Sequence, residues 1–315
     1  AKQLAEKMGL PSLCDPQSGV NSAWAHYDLW LQNPLRSERF NQCELVLQIG
    51  SRIVSKRLNQ WLIQQVEQFG AEYHYLSPSV DRNNQAHLIQ THHIAEIESW
   101  LHTSIESLPP LMNSESGWAN ELTELSQQVA DLAALHLNTD LQLDEIALAL
   151  SVNQLPNQAQ IFIGNSLFVR LVDMFSNHDG HAVYSNRGAS GIDGLIATAS
   201  GVVRAKKVPT VIYIGDTSLL YDVNSLALLT HEKTPVVVVV TNNDGGAIFD
   251  LLPVPAQQKQ SLYQMPHGYD FEFAAKQFKL GYNKPETLAH FHQLVNDHLV
   301  DGQGALLVEV QTPPD

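Results

Sequence analysis

A chain of 315 residues is long enough for two domains that each bury a core, and its composition, 44% hydrophobic and 16% charged, is that of an ordinary soluble globular protein. A formal net charge of −15 argues against nucleic acid or an anionic membrane as a partner, and any anionic ligand would have to be met by a metal or by locally placed arginines. The longest apolar run, residues 236–240, has the length of one buried strand, and Cys14 and Cys43 stand in no metal or redox spacing, so a reducing cytoplasm is the expected compartment.

The chain opens on a helical pattern, residues 1–8, without an initiator Met or a capping residue, and so reads as starting inside a longer protein. Strand candidates at 44–50 and 71–77 flank an amphipathic stretch, 51–68, with Trp61, Leu62 and Val66 at helical spacing. That order predicts a small α/β domain. Gly50-Ser51-Arg52 with Lys56 and Arg57 lacks the Gly-x-Gly-x-x-Gly of a dinucleotide loop and reads as a helix start with a solvated basic face. Pro109-Pro110 and the polar residues 113–117 mark a boundary, giving domains at 1–110 and 111–315. Helical patterns follow at 118–137 and 141–150. Beyond them, strands at 159–164, 182–185, 210–215, 236–241 and 306–310 alternate with helical stretches, one of them at 219–232. Unbroken Val/Ile strands alternating with helices predict a doubly wound parallel sheet, with ligands beyond the carboxyl ends of its strands. Of the fourteen histidines, His92, His93, His102, His290, His292 and His298 lie in Glu- and Gln-rich surroundings without a His-Glu-x-x-His, and read as solvated helix faces rather than zinc ligands.

The chemistry concentrates at two strand ends. Strand 210–214 runs into Gly215-Asp216-Thr217-Ser218, and strand 235–240 into Thr241-Asn242-Asn243-Asp244-Gly245-Gly246. Neighbouring parallel strands would set those ends about 5 Å apart, so Asp216 and Asn243 can face one ion. A carboxylate, an amide oxygen and a backbone carbonyl are hard donors, suited to Mg²⁺ and poor for Zn²⁺. The helix start at Thr217 and Ser218 offers free N–H groups to the same anion. Either residue alone would be an ordinary cap or turn former.

This pairing resembles the Gly-Asp-Gly…Asn-Asn motif of thiamine-diphosphate enzymes, with Thr217 in place of the usual third residue. The resemblance implies Asp216, Asn243 and the Gly245 carbonyl as metal ligands, with Gly215, Thr217, Ser218 and Ile192 also against the cofactor. Further segments, Gly164-Asn-Ser-Leu-Phe-Val-Arg170, Tyr184-Ser-Asn-Arg-Gly-Ala-Ser-Gly-Ile-Asp-Gly194, Tyr221-Asp-Val-Asn-Ser-Leu-Ala-Leu-Leu229 and Gly245-Gly-Ala-Ile-Phe-Asp-Leu-Leu-Pro253, resemble the family of 2-succinyl-5-enolpyruvyl-6-hydroxy-3-cyclohexene-1-carboxylate synthases. Membership would imply two Rossmann-like α/β domains, the second of the diphosphate-binding type, with the family's N-terminal pyrimidine-binding domain, and its catalytic glutamate, outside this chain. It would also imply thiamine diphosphate with Mg²⁺ (or Mn²⁺) as cofactors, and a homo-oligomer of at least two chains. The reaction would decarboxylate 2-oxoglutarate and add the succinyl-semialdehyde unit to isochorismate, in menaquinone biosynthesis. Ser166, Arg170 and Arg187 would hold the substrate carboxylates, and Ile248, Phe249 and Leu252 would line the pocket. From the residues alone, Arg170 with Asp173 and Arg187 with Asp193 could instead be structural ion pairs. An acetolactate-synthase-like enzyme or 2-oxoacid decarboxylase shares the metal motif and remains the alternative.

Overall fold

The computed structural model describes residues 1–50, 52–108, 117–139, 143–176, 178, 180–188, 190–251 and 253–312. The boundary expected at 109–116, and with it the division after residue 110, lies outside the described residues, as do Ser51, Leu141 and Leu252. Residue contacts group the chain into two compact units, residues 1–15 with 21–132, and residues 16–20 with 133–315.

In the first unit β1 (Leu45–Ile49), β2 (Glu72–Ser77) and β3 (Thr91–Ile94) form a parallel sheet in the order β1-β2-β3. The helix Lys56–Gln68 connects the first two strands. It starts at 56 because Ser55 caps it, its hydroxyl accepting from the Leu58 N–H at 2.9 Å. Trp61 and Leu62 on its inner face join Tyr27, Trp30, Phe40, Tyr73 and Tyr75 in an aromatic core, with Phe40 stacked on Trp61 at 4.0 Å. The expected solvated basic face is half corrected. Arg57 pairs with the buried Asp28, whose other carboxylate oxygen accepts from Ser55 at 2.6 Å.

The histidine expectation also needs correction. His92 and His93 lie on β3, not on a helix, paired in register with Tyr75 and Leu76 of β2. His93 Nε2 meets His74 Nδ1 at 2.9 Å, a short strand's inter-strand contact that helical periodicity could not reveal. His102, on the helix Ile97–Ser107, is exposed beside Glu106 as expected. On the last helix, Leu288–Asp301, only His290 is a solvated position of the three. His298 is bonded through Nε2 to the Gly304 carbonyl at 3.0 Å, and His292 is half-buried.

The second unit carries six parallel strands: β4 (Gln160–Ile163), β5 (Val183–Tyr184), β6 (Thr210–Gly215), β7 (Val236–Asn242), β8 (Gly281–Asn283) and β9 (Ala305–Gln311). Their order, β5-β4-β6-β7-β9-β8, makes this a doubly wound sheet. β4, β6 and β7 are buried on both faces, which explains their uninterrupted Val, Ile and Tyr. β8, a three-residue edge strand, was not among the expected strands. The helix expected at 219–232 is shorter and starts earlier: α-helix Asp216–Asp222 gives way to the 3₁₀ segment Val223–Leu229. The chain leaves β4 toward β5 on one side and returns to β6 on the other, so a crevice opens between the ends of β4 and β6. In such sheets that switch point is where ligands bind. Among the described residues no helix is long and apolar enough to cross a membrane.

Candidate functional site

The parallel register sets Gly215 of β6 opposite Thr241 of β7, and the residues that follow each carry the polar groups of the site. Asp216, first residue of its helix, is 1% exposed. Its carboxylate accepts from four donors. Oδ1 takes the Thr217 N–H at 2.5 Å and hydroxyl at 3.3 Å; Oδ2 takes the Gly245 N–H at 2.8 Å and His267 Nε2 at 3.1 Å. The Tyr269 N–H donates to His267 Nδ1 at 3.0 Å, which puts the ring proton on Nε2, facing Asp216. The residues of the motif that seemed separate in sequence therefore converge on one carboxylate.

Asn243 is buried, and its amide is used at one end only. Nδ2 donates to Glu145 Oε1 at 2.6 Å, whereas Oδ1 is buried with no hydrogen-bond partner. Burying an amide oxygen unpaired costs about 1–3 kcal/mol, so the group is arranged for something else. Gly245 adopts φ +127, a region closed to other residues, and a Cβ there would run into the Gln264 carbonyl. Asp244, at φ 62, turns its carboxylate to the N–H groups of His267 at 2.8 Å and Gly268 at 2.7 Å. The Gly268 bond, outweighing the smaller cost of desolvation and helped by the His267 N–H, holds that carboxyl below its usual range.

A second group of polar residues lies at the ends of β4 and β5. The Gly164 N–H donates to the Tyr213 carbonyl at 2.8 Å, keeping the end of β4 against β6. Asn165 Nδ2 ties down the segment after β5 through the carbonyls of Asn186 at 3.1 Å and Gly191 at 2.7 Å, while its Oδ1 is buried and unpartnered. Ser166 stands at φ 80, a strained position for serine, and its carbonyl accepts from Arg170 one helical turn on. Arg187 makes no ion pair among the described residues, with Asp193 or any other, and its Nε is buried without a partner. Ile192 is half-buried in the turn before the helix Leu195–Lys206. That helix has its first N–H groups accepted by Asp222, from Ile196 at 2.7 Å and Ala197 at 3.1 Å. Ile248 and Phe249 sit on the 3₁₀ turn Ala247–Leu251, where Phe249 packs edge-on against Tyr263 at 5.3 Å. The buried polar atoms without a partner beyond the carboxyl ends of β5, β4 and β7 thus include the Arg187 Nε and the amide oxygens of Asn165 and Asn243. Among the described residues no cluster of three His, Cys, Asp or Glu side chains could hold a metal by itself.

Comparison with protein families matches residues 1–163 to the middle domain of thiamine pyrophosphate enzymes and residues 166–310 to their C-terminal TPP binding domain. The chain belongs to the thiamine pyrophosphate enzymes. The second match begins at Ser166 and spans Asp216, Thr217, Asn243, Asp244, Gly245 and His267, whereas Glu145 and β4 fall in the first, although β4 pairs with β5 and β6. Among curated relatives, proteins named 2-succinyl-5-enolpyruvyl-6-hydroxy-3-cyclohexene-1-carboxylate synthase are similar over the whole chain: 55% identical in Vibrio atlanticus (strain LGP32) and 54% in Vibrio cholerae (strain M66-2), each match covering 100% of this chain. In Vibrio campbellii the identity is 52% over 99% of the chain. The chain spans 55% of the length of these relatives.

Within this thiamine pyrophosphate enzyme, Thr217 and Gly245 are hydrogen-bonded to Asp216, and Asn243 stands just beyond the end of the paired strand β7, bonded to Glu145. Ser166, Arg170 and Arg187 gather at the neighbouring strand ends. Three participants escaped the sequence reading: the buried Glu145 and Asn165 side chains and the half-buried His267. Glu145 follows the helix-capping Asp144, so its only local signal was that of an acidic first turn. His267, in Met265-Pro266-His267-Gly268, reaches Asp216 across 51 positions, with no periodic cue.

Proposed function

We propose that this chain contributes the diphosphate- and metal-binding part of a thiamine-diphosphate-dependent transferase, a 2-succinyl-5-enolpyruvyl-6-hydroxy-3-cyclohexene-1-carboxylate synthase. The single observation that carries the metal site is the Asn243 amide oxygen, buried and unpartnered at the strand end next to Asp216. An amide oxygen, a carboxylate and the Gly245 carbonyl form the oxygen set that Mg²⁺ or Mn²⁺ prefers. Asp216 already accepts four hydrogen bonds, so the ion would take the place of one; the Thr217 hydroxyl, at 3.3 Å, is the weakest. Gly215, Thr217 and Ser218 at the helix start would meet the diphosphate with backbone N–H groups, and Ile192 would support the cofactor from the β5 side.

When bound, thiamine diphosphate supplies the nucleophilic carbon and the electron sink that a 2-oxoacid decarboxylation needs. The chain's own residues supply position and charge. Against a net charge of −15, the two guanidinium groups near the ends of β4 and β5 would orient the carboxylates of 2-oxoglutarate and isochorismate by bidentate pairs. The buried Nε of Arg187 has no competing partner, which favours that role. Ile248 and Phe249, with Leu252, would exclude water from the reacting carbons. In this reading residues 1–110 form the central domain and 111–315 the diphosphate-binding domain of a cytoplasmic homo-oligomer, and the group that activates the cofactor's aminopyrimidine lies in another part of the assembly.

The experiment is a substrate test on the full-length protein carrying this chain. CO₂ release from 2-oxoglutarate should depend on isochorismate, on thiamine diphosphate and on Mg²⁺, with the synthase product found by mass spectrometry. Turnover of pyruvate to acetolactate or acetaldehyde, with 2-oxoglutarate inert, would replace this reading with that of an acetolactate-synthase-like enzyme or a decarboxylase.

A further inference from the structure

Glu145 opens the helix Glu145–Ser151 behind its N-cap Asp144, whose carboxylate accepts from the Ala147 N–H at 2.6 Å. Nothing in that local sequence points to the strand ends, yet the side chain is buried and meets a residue 98 positions away. Its Oε1 accepts from Asn243 Nδ2 at 2.6 Å, and the Thr312 hydroxyl, after β9, lies 3.4 Å from the same oxygen.

The consequence follows from the asymmetry of a carboxamide. Its oxygen can ligate a cation and its NH₂ cannot, so a buried asparagine ligand must be held one way round. An ionised carboxylate offers acceptors only. Set against Asn243 it can engage the NH₂ end and must repel the oxygen end, since the reversed amide would put two oxygens 2.6 Å apart. The oxygen is thereby directed away from Glu145, and it is the atom left buried without a partner. We propose that Glu145 is a positioning residue that fixes the Asn243 amide with its oxygen presented to the metal. The inference rests on the metal reading of Asp216 and Asn243. It adds an orienting group that neither the motif nor its spacing contains.

The test uses Mn²⁺ as the probe, titrated by electron paramagnetic resonance into the full-length protein with saturating thiamine diphosphate, so that turnover is not needed. Glu145→Gln should weaken Mn²⁺ binding about tenfold or more, the scale of losing a group that orients a metal ligand. Asn243→Asp keeps an oxygen ligand but sets two carboxylates face to face, and should weaken binding likewise. The double variant Glu145→Gln with Asn243→Asp restores a donor–acceptor pair of reversed sense with unchanged total charge. It should bind Mn²⁺ roughly tenfold more tightly than either single variant. Each protein's thermal melt is recorded, and a single variant that fails to fold leaves the double variant to be compared with wild type. Wild-type affinity in Glu145→Gln, or a double variant no better than its parents, means that Glu145 is merely structural and overturns the inference while the metal site stands. Wild-type affinity in Asp216→Ala would instead remove the metal reading, and this inference with it.

Discussion

Gly245→Ala perturbs the site through the backbone. At φ +127 any side chain is strained, at about 1–3 kcal/mol. The new Cβ would also overlap the Gln264 carbonyl oxygen and lie 3.0 Å from its carbon, so the turn cannot simply absorb it. The Gln264 oxygen is already held by the Gly246 N–H at 2.8 Å, and moving either strand of this contact draws the Gly245 N–H away from Asp216. Losing that bond to a buried carboxylate adds about 1.5–3 kcal/mol. A total near 4 kcal/mol should lower the melting temperature by roughly 10 °C in a unit of this size. Differential scanning calorimetry of the cofactor-free protein reads this directly, and a thiamine diphosphate titration with Mg²⁺ should show a parallel loss of affinity. A melting temperature within about 2 °C of wild type, with cofactor affinity intact, would show that the turn does not have the described conformation.

Arg170→Ala and Arg187→Ala should each lower kcat/KM for a carboxylate substrate by roughly 30- to 150-fold, from about 2–3 kcal/mol per lost charge-assisted contact, with cofactor affinity little changed; unchanged kinetics with a lower melting temperature would make them structural. His292 gives a pH prediction. Burial disfavours its charged form and holds its folded-state value below the ordinary 6.5, so the unfolded chain takes up the proton first. The associated stability is complete above that value and is lost as pH falls through the folded-state one. His292→Leu should therefore flatten the acid side of the melting-temperature profile between about pH 7 and 5, and identical slopes would contradict it.

The second unit was legible because its strands are buried on both faces. Unbroken runs such as Val236–Asn242 and Thr210–Gly215 announce a parallel sheet, and such sheets place their ligands at strand ends. Asp216 and Asn243 were legible for the same reason. β3 and β8 were not, since edge strands of four and three residues leave too short an alternation to distinguish. The helix after Asp216 was overextended because the hydrophobic pattern continues through Val223–Leu229 while the backbone tightens to 3₁₀, with Asp222 turned to the start of another helix. Glu145 and His267 lay beyond reach for a different reason. Their contacts to Asn243 and Asp216 are purely tertiary, and neither residue type, spacing nor periodicity encodes them.

The most direct measurement is calorimetric titration of thiamine diphosphate into the full-length protein, wild type and Asp216→Ala, with Mg²⁺ and with EDTA. In a protein of net charge −15 the proposed site would hold the diphosphate through the metal, with Asp216 as the one charged side chain assigned to it. Wild-type binding should require Mg²⁺, and the variant should lose at least about 100-fold in affinity, by the loss of a buried charged ligand, while still melting cooperatively. Equal, Mg²⁺-dependent binding by both proteins would place the metal elsewhere and contradict the site described for the ends of β6 and β7.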